Sequence, residues 1–398
     1  MGTESRKSFR AALTMRGIRK RCRRDLILHF AHVRSSIRQP PKCYPALREA
    51  VTFHAQCRVA DARPPSNHVK RSRMKAICFG KYGAPDVLEL QTLNKPTPKD
   101  DELLIRIHAA TVTPGDCEIR SFRFPFWIWI PLRFYMGLFK PKRPIIGMEF
   151  SGVVESVGTA VTRFKQGDLV FAGTSANFGT YAEYRCHAAT SAMAIKPAGI
   201  SHAEAATISV GGLNALHYLR KGKIQPGDKV LINGAAGCFG SYAVQLAKHF
   251  GAEVTGVDST DKLDALRAMG ADHVIDYTQE DFTKKNDVRY DVILEVAGRA
   301  SYSRCIRLLN RNGRLVLANP KFLQMLRAPL TSLLTDKRVS FAFCEDKEED
   351  LQYLAKLMEA GTIKPVLDRS YPLEEVAEAH RYVEAGAKIG HVVIDLQA

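Results

Sequence analysis

A glycine-rich loop between a short apolar run and a helical stretch constrains this chain more than any other feature. Glycines at 234, 237 and 240 directly follow the run Lys229–Asn233 and open an amphipathic segment. This spacing lets the backbone turn tightly out of a strand, approach a pyrophosphate and pack a helix against a sheet. The helix N-terminus then presents free N–H groups and the positive end of its dipole to phosphates. The pattern predicts a dinucleotide-binding loop; the alternative is a glycine turn that packs helix on sheet without a ligand.

The second half of the body alternates strand-like and helical segments. The strand candidates are 229–233, 253–257, 273–276, 291–296, 314–318 and 339–343. Six strands with helical crossovers predict a parallel, doubly wound sheet. The closing run 389–396 is predicted to be a strand that rejoins the preceding β-rich part.

That β-rich part runs from Met74 to about Ile195. Short strand candidates at 102–107, 152–157 and 168–171 are separated by Gly and Pro. Turn signals recur about every 8–12 residues in this part, and this spacing is typical of an irregular β-barrel. His108, His187 and His217 lie in barrel or helix contexts and are interpreted as structural.

An aromatic segment, residues 124–139, interrupts the barrel pattern and contains both tryptophans of the chain. It is too short, and too interrupted by Pro125, Pro131 and Arg133, to span a bilayer. A buried loop or helix is one interpretation. An apolar substrate wall or a partner surface is the other, because contiguous exposed aromatics usually mark a site.

The net charge of +17 is concentrated at the N-terminus. Residues 1–73 hold 18 of the 58 Lys and Arg residues but four of the 41 acids, so the remaining body is nearly neutral. This basic extension lacks a sustained hydrophobic period and is predicted to be disordered. Translation could begin at Met74, the extension could be a mitochondrial transit peptide, or it could bind nucleic acid or anionic lipid. No folded nucleic-acid module surrounds it, so no specific nucleic-acid partner is expected.

The distribution of cysteines and the hydropathy of the chain exclude several classes of protein. The nine cysteines are dispersed without a C-x-x-C pair, and no uncharged apolar run reaches 18 residues. These observations argue against a disulfide framework, a compact cysteine zinc site and a spanning helix. The expected compartment is the cytoplasm, or the mitochondrial matrix if residues 1–73 are a transit peptide.

The residues after the second strand of the sheet bear on the choice of dinucleotide. Asp258 lies 18 residues beyond Gly240 and could accept hydrogen bonds from an adenosine ribose, which favours NAD and repels a 2′-phosphate. Ser259, Thr260 and Lys262 follow at once and suit a phosphate dianion. The two signals conflict.

The stretch from Gly227 to Lys248 resembles the signature of the quinone oxidoreductase and zeta-crystallin branch of the medium-chain dehydrogenase/reductase superfamily. Gly147-Met148-Glu149 and the run 270–277 extend the resemblance, which covers the chain from Met74 to its end. Cys238 departs from it, because the family has a third close glycine there. The resemblance implies an α/β fold, with a chaperonin-10-like barrel and a Rossmann domain, and NAD(P)H-dependent reduction of quinones, enones or aldehydes.

With this resemblance, we divide the chain into a basic extension (1–73), a barrel-like catalytic domain (74–198), a Rossmann domain (199–344) and a return segment to the catalytic domain (345–398). Relatives that use NADPH carry a lysine and a tyrosine where this chain has Lys262 and Tyr277, so NADPH is favoured and NADH stays possible. Relatives are commonly dimers through an edge strand of the Rossmann sheet. The candidate cofactor-binding residues are Gly234, Ala235, Ala236, Gly237, Cys238, Phe239, Gly240, Asp258, Ser259, Lys262, Tyr277 and Asn319.

No zinc ion is expected. Zinc-dependent relatives use Cys or Asp in the first barrel loop and a Gly-His-Glu motif, whereas this chain has Thr113 and Met148, which are poor ligands. Thr113 and Asp116 are the candidate catalytic residues, with a turn-capping role as the alternative. Glu118 stands where some relatives carry a tyrosine, so the proton donor is unassigned. A nucleotide-sensing or partner-binding protein with little turnover is the alternative function.

Overall fold

The computed structural model describes residues 72–285 and 287–397, apart from the side chains of Trp127 and Ala176. The predictions for the basic extension therefore lie outside the described residues, except that its last two residues lead into the first strand. Within the described part of the chain, no helix combines the length and apolarity needed to cross a bilayer.

The first part of the described chain is rich in antiparallel strands. Its strands are β1 (Arg73–Phe79), β2 (Leu88–Asn94), β3 (Glu102–Val112), β4 (Glu149–Val157), β5 (Leu169–Gly173), β6 (Tyr184–Ala188) and β7 (Met193–Ile195). β1 and β2 form a separate hairpin-like pair, whereas β3, β4, β5 and β7 lie in sequence within a seven-stranded sheet and β6 pairs with β3. Helices α1 (Pro114–Ser121) and α2 (Phe126–Met136) connect β3 to β4.

The second part is a six-stranded parallel sheet, entered through α3 (His202–Ala206), a π-helical turn (Ile208–Gly212) and α4 (Leu213–Gly222). Its elements are β8 (Lys229–Asn233), α5 (Cys238–His249), β9 (Glu253–Asp258), α6 (Leu263–Ala268), β10 (His273–Asp276), β11 (Tyr290–Glu295), α7 (Tyr302–Leu308), β12 (Leu309–Leu317), α8 (Phe322–Leu334) and β13 (Arg338–Ser340). The strand order is β10-β9-β8-β11-β12-β13. The order reverses at β8, which is the doubly wound arrangement.

Alternation along the central strand shows why this sheet needs helices on both faces. Val230 and Ile232 belong to an apolar core shared with α4, α5 and the later helix α9 (Glu348–Glu359), whereas Leu231 belongs to a second core with α7. Successive side chains of a strand point to opposite faces, so an apolar run buries both. The predicted doubly wound sheet is confirmed, although its last strand is shorter than the run 339–343.

The return segment carries the chain back to the barrel. It comprises α9, β14 (Leu367–Pro372), α10 (Val376–Glu384) and β15 (His391–Asp395). β15 pairs in parallel with β14 and antiparallel with β3, where Val392 lies opposite Val112. The prediction that the last strand rejoins the β-rich part is confirmed, with a strand shorter than 389–396.

The aromatic segment forms α2 and a following turn. Met136 is buried and Leu132 packs on the barrel core, but Phe126 is 83% exposed and Phe139 is 86% exposed. The interpretation of this segment as a buried loop or helix is therefore wrong for its outer face. The helical row of Phe126, Ile130 and Phe134 places three large apolar side chains on the solvent side.

Candidate active site

The glycine loop leaves the carboxyl end of β8 in a conformation that glycine permits. Gly234 has a φ of +86°, and a side-chain carbon at Gly240 would lie 2.2 Å from the carbonyl oxygen of Gly234. Gly240 therefore allows helix α5 to approach the loop closely. The N–H groups of Gly234 and Ala235 both donate to the carbonyl oxygen of Val257 on β9, which joins the loop to the neighbouring strand.

Helix α5 begins without a side-chain cap. Gly237 is the N-cap residue and, having no side chain, makes no side-chain capping hydrogen bond to the N–H groups that follow. A carbon added at Gly237 would meet only the Gly234 carbonyl oxygen, at 3.7 Å. A side chain at position 237 would therefore occupy the space in front of the helix. In the wild-type protein, the uncapped N–H groups and the helix dipole suit a phosphate in that space.

Asp258, at the end of β9, turns toward this loop. Its Oδ2 accepts the N–H of Ala236 at 2.9 Å and its Oδ1 accepts the N–H of Ser259 at 3.0 Å. Both carboxylate oxygens therefore have backbone donors, and the side chain is buried. The carboxylate holds the loop as well as lying at the position expected for a ribose contact.

The other residues predicted to hold the adenosine end lie around Asp258. Lys262 Nζ is 3.7 Å from Asp258 Oδ1 and donates to the carbonyl oxygen of Gly386 at 2.6 Å. Ser259 donates its hydroxyl to Asp261 Oδ1 at 2.6 Å. Tyr277 is exposed, and its N–H donates to the carbonyl oxygen of Asp258.

Asn319 lies at a different part of the same sheet edge. Its amide Nδ2 donates to the carbonyl oxygen of Val296 at 2.7 Å, which joins the segments after β11 and β12. The structure thus brings the predicted cofactor residues to the carboxyl ends of β8, β9, β10 and β12, at one edge of the sheet. Their role in binding stays a prediction.

Gly390, which the sequence did not single out, contacts the loop from the return segment. Its N–H donates to the carbonyl oxygen of Ala236 at 2.7 Å. It has a φ of +69°, and a side-chain carbon there would lie 2.1 Å from the carbonyl oxygen of Val366. A glycine just before a strand is a weak signal, and only the fold shows that this one meets a loop about 150 residues away in the chain.

The two candidate catalytic residues contact each other at the start of α1. Thr113 precedes the helix, and its hydroxyl and N–H both donate to Asp116 Oδ2, at 2.7 and 2.9 Å. The N–H of Asp116 donates back to Thr113 Oγ1, which completes a capping box. Both side chains are buried, and burial raises the pKa of Asp116 to about 6. The turn-capping role is present in the structure.

At the positions where zinc-dependent relatives carry metal ligands, this chain has Thr113 and Met148 beside Glu149. Thr113 Oγ1 lies 3.8 Å from Met148 Sδ, so a hydroxyl faces a thioether. Glu149 accepts the hydroxyl of Thr111 and the N–H of Val210, and burial raises its pKa to about 8. In residues 72–285 and 287–397, no three His, Cys, Asp or Glu side chains form a group that could hold a metal ion. This donor set does not fit zinc.

Two family models match the chain. One, described as an alcohol dehydrogenase GroES-like domain, matches residues 99–217, and one described as a zinc-binding dehydrogenase matches residues 269–394. The first covers most of the antiparallel sheet, and the second covers the end of the parallel sheet with the return segment.

Curated relatives and solved structures agree with these matches. A 2-methylene-furan-3-one reductase from Solanum lycopersicum is 33% identical over 81% of this chain and 79% of its own. An NADPH-dependent alkenal/one oxidoreductase from Arabidopsis thaliana is 31% identical over the same shares. The quinone oxidoreductase of Homo sapiens is 30% identical over 79% of this chain and 95% of its own. The structure of a quinone oxidoreductase from Coxiella burnetii has a TM-score of 0.73 at 29% identity and covers 82% of this chain and all of that one.

Proposed function

This chain belongs to the medium-chain dehydrogenase/reductase superfamily, in its quinone oxidoreductase-like branch, and from that premise we propose that it is a zinc-independent oxidoreductase that uses NADPH to reduce a quinone, an enone or an aldehyde. The relatives named as quinone and alkenal/one oxidoreductases support the substrate class. Quinones and enones need little polarisation, because hydride addition to a conjugated carbon gives a delocalised anion that water can protonate. No dedicated proton donor is required for such an acceptor.

One observation carries this proposal: an uncapped helix N-terminus stands at the point where the order of the parallel strands reverses. Dinucleotides bind at this place in doubly wound sheets. The backbone amides of Gly237, Cys238 and Phe239 fit the pyrophosphate, because α5 begins without a side-chain cap and a carbon added at Gly237 would meet only the Gly234 carbonyl oxygen. When bound, the nicotinamide supplies the hydride, and the protein supplies orientation.

Thr113 and Asp116 are proposed to act beside the nicotinamide as positioning residues. The carboxylate of Asp116 accepts both donors of Thr113, so the hydroxyl is directed into the helix cap. This arrangement fixes the turn between β3 and α1, where Met148 Sδ lies 3.8 Å from the Thr113 hydroxyl oxygen. A rigid apolar wall there would hold a planar acceptor and exclude water.

The preference for NADPH is proposed from the orientation of Asp258. Its two oxygens accept the N–H groups of Ala236 and Ser259, so less of its charge is directed toward a 2′-phosphate. Lys262 lies beside it and can exchange the Gly386 carbonyl for a phosphate oxygen. An ammonium–phosphate contact joins two opposite charges and is stronger than the ammonium–carbonyl contact that it would replace.

A homodimer is proposed through the edge of the parallel sheet. β13 pairs with β12 on one side and is the last strand of that sheet in the described part of the chain. The adjacent helix α8 buries Gln324 and Ala328 and exposes its apolar face, which comprises Phe322, Leu323, Leu326, Leu330, Leu333 and Leu334. A second copy would cover both the strand edge and this face. Sedimentation of Leu330→Asp as a monomer, against a wild-type dimer, is the expected result.

The proposed compartment is the cytoplasm. The cysteines in the described part of the chain, at 78, 117, 186, 238, 305 and 344, are all free thiols. Free thiols are what a reducing compartment maintains.

Two measurements test the function together. NADPH should raise the melting temperature of the wild-type protein, and NADPH absorbance should fall when a panel of quinones, enones and aldehydes is added. A melting shift without turnover on any member of the panel would favour the nucleotide-sensing alternative. If neither NADPH nor NADH shifts the melting temperature, the proposed function is wrong.

A further inference from the structure

Helix α2 and its following turn expose an apolar surface to solvent. The exposed members of this surface are Phe126, Trp129, Ile130, Phe134, Tyr135, Leu138 and Phe139. Contiguous apolar patches of this kind are rare on proteins that have no partner there, because each exposed aromatic side chain orders water around it.

The inner side of α2 packs against aromatic side chains of the barrel domain. The guanidinium of Arg133 lies 4.2 Å from the ring centre of Tyr82 and 4.5 Å from that of Phe122. The ring of Trp129 meets Phe122 edge-on at 5.6 Å. Because Met136 on the inner face is buried in the barrel core, the outer face of α2 points away from that core.

Cations surround this surface. Between Ser121 and Met148 the sequence has no Asp or Glu. It has five cationic residues, namely Arg123, Arg133, Lys140, Lys142 and Arg143. Lys142 Nζ donates to the carbonyl oxygen of Phe134, and Arg143 lies over the ring of Tyr135, so cationic groups are held next to the aromatic ones.

The combination of aromatic and cationic side chains on this surface favours a lipid bilayer as its partner. Protein interfaces are depleted in Lys, whereas the boundary between lipid headgroups and acyl chains takes up Trp, Tyr and Phe beside Lys and Arg. An 11-residue helix is too short to cross a bilayer, but it is long enough to lie in this boundary. A second copy of the chain would bring like charges together and has the edge of the parallel sheet available instead.

We propose that α2 and the turn through Arg143 form a peripheral membrane-binding surface that seats the barrel on a bilayer containing anionic lipid. The apolar row enters the acyl boundary, and the flanking cations contact lipid phosphates. The inference does not depend on which substrate is reduced, because it uses only the outer face of α2.

Tryptophan fluorescence isolates this surface from the rest of the chain. The protein has two tryptophans, at 127 and 129, and both lie in α2. The basic extension contains none, so the emission reports on the surroundings of α2 and not on those of that segment. Phosphatidylglycerol vesicles should shift the emission of the full chain to shorter wavelength, and brominated lipid should quench it. Pure phosphatidylcholine vesicles should give a weaker response.

Variants at exposed positions test the contact without touching the core. The double substitution Phe126→Ser and Phe134→Ser should lower the partition coefficient into phosphatidylglycerol vesicles at least about tenfold, since two exposed rings lose their apolar contact. The matched control is Leu90→Ser with Ile195→Ser, which removes two exposed apolar side chains from barrel strands and should leave partitioning unchanged. Melting temperatures show whether each variant is folded.

Three outcomes would overturn the proposal. The first is co-sedimentation with vesicles while tryptophan emission stays constant, which would assign binding to the basic extension alone. The second is an emission shift that grows with protein concentration in the absence of lipid, which would assign the surface to a second copy of the chain. The third is equal partitioning of the Phe126→Ser and Phe134→Ser variant and the wild type.

Discussion

The N–H of Gly390 donates a 2.7 Å hydrogen bond to the carbonyl oxygen of Ala236, so the return segment is joined to the glycine loop at the site proposed for the pyrophosphate. The neighbouring Gly237 and Gly390 also form an isolated parallel bridge. Because β15 begins one residue after Gly390 and pairs with β3, the same short segment contacts both the glycine loop and the barrel sheet. This relationship gives the loop two roles, which substitutions can separate.

Gly237→Val tests the binding role. A side-chain carbon at Gly237 has room, so the variant should unfold at nearly the wild-type temperature. Its branches would occupy the space before α5, and NADPH affinity should fall roughly ten- to hundredfold, the worth of one or two charge-assisted hydrogen bonds. Isothermal titration measures the affinity. Gly240→Ala is the contrast, because it should destabilise the fold through its 2.2 Å clash. Unchanged NADPH affinity in Gly237→Val would show that the loop does not hold the phosphates.

Gly390→Ala tests the structural role. The added carbon would lie 2.1 Å from the Val366 carbonyl oxygen at a φ of +69°, so the free energy of unfolding should fall by about 2–4 kcal/mol. Gly386→Ala is a matched control in the same segment, with a φ of +76° and no atom near the added carbon. It should lose about 1 kcal/mol from backbone strain alone. Denaturant unfolding measures both values, and equal losses would mean that the close approach at Gly390 is not important for stability.

Lys262→Met tests the cofactor preference. If Lys262 leaves the Gly386 carbonyl for a 2′-phosphate, the variant should bind NADPH about ten- to hundredfold more weakly and NADH with little change. Lys248→Met, whose ammonium pairs with Asp272 at the start of β10, is the control for a general loss of charge and should alter neither affinity. An NADH preference in the wild type that Asp258→Ala abolishes would contradict the NADPH proposal.

Glu149 predicts a pH dependence of stability. Burial raises its pKa from 4.5 to about 8 in the folded protein, so unfolding between these values releases a proton. Stability from this group is therefore complete below pH 4.5 and is lost as pH rises to about 8, at up to about 1.4 kcal/mol per pH unit. Glu149→Gln keeps an acceptor for the Val210 N–H and removes the titration.

The measurement is the difference in unfolding free energy between Glu149→Gln and the wild type from pH 5 to pH 9. Because both proteins keep Asp116, this difference follows the titration of Glu149 together with its interaction with Asp116, and it should move in favour of the variant as pH rises. A flat difference would show that Glu149 keeps an ordinary pKa in the folded state.

Metal removal tests the zinc-independent chemistry. Thr113 and Met148 are poor zinc ligands, and both oxygens of Glu149 already accept protein donors. Dialysis against a strong chelator should leave turnover unchanged, and elemental analysis should find well under one zinc ion per chain. One tightly bound zinc ion that is lost together with activity would overturn the interpretation of this motif.

The architecture was largely predictable from local patterns. The runs 229–233 and 273–276 match β8 and β10 at both ends, because each alternates or concentrates apolar residues and stops at polar or glycine residues. The shorter β13 was overestimated, since an apolar run such as 339–343 continues into a loop once no neighbouring strand pairs with it. The hydrophobic pattern of a segment indicates which residues are buried, but it does not indicate where the neighbouring strand stops pairing with it.

The candidate site divides in the same way. The sequence by itself determined the strand, the glycine loop and the helix that follows it, because steric freedom and helix capping depend on residues a few positions apart. Only the tertiary structure decided that the Asp258 carboxylate accepts the Ala236 N–H, that Gly390 meets the loop, and that the aromatic face of α2 points outward. Each of these depends on which distant segment provides the partner for a polar group or the cover for an apolar face. That choice is made by packing across the whole chain and leaves no signal in any local window.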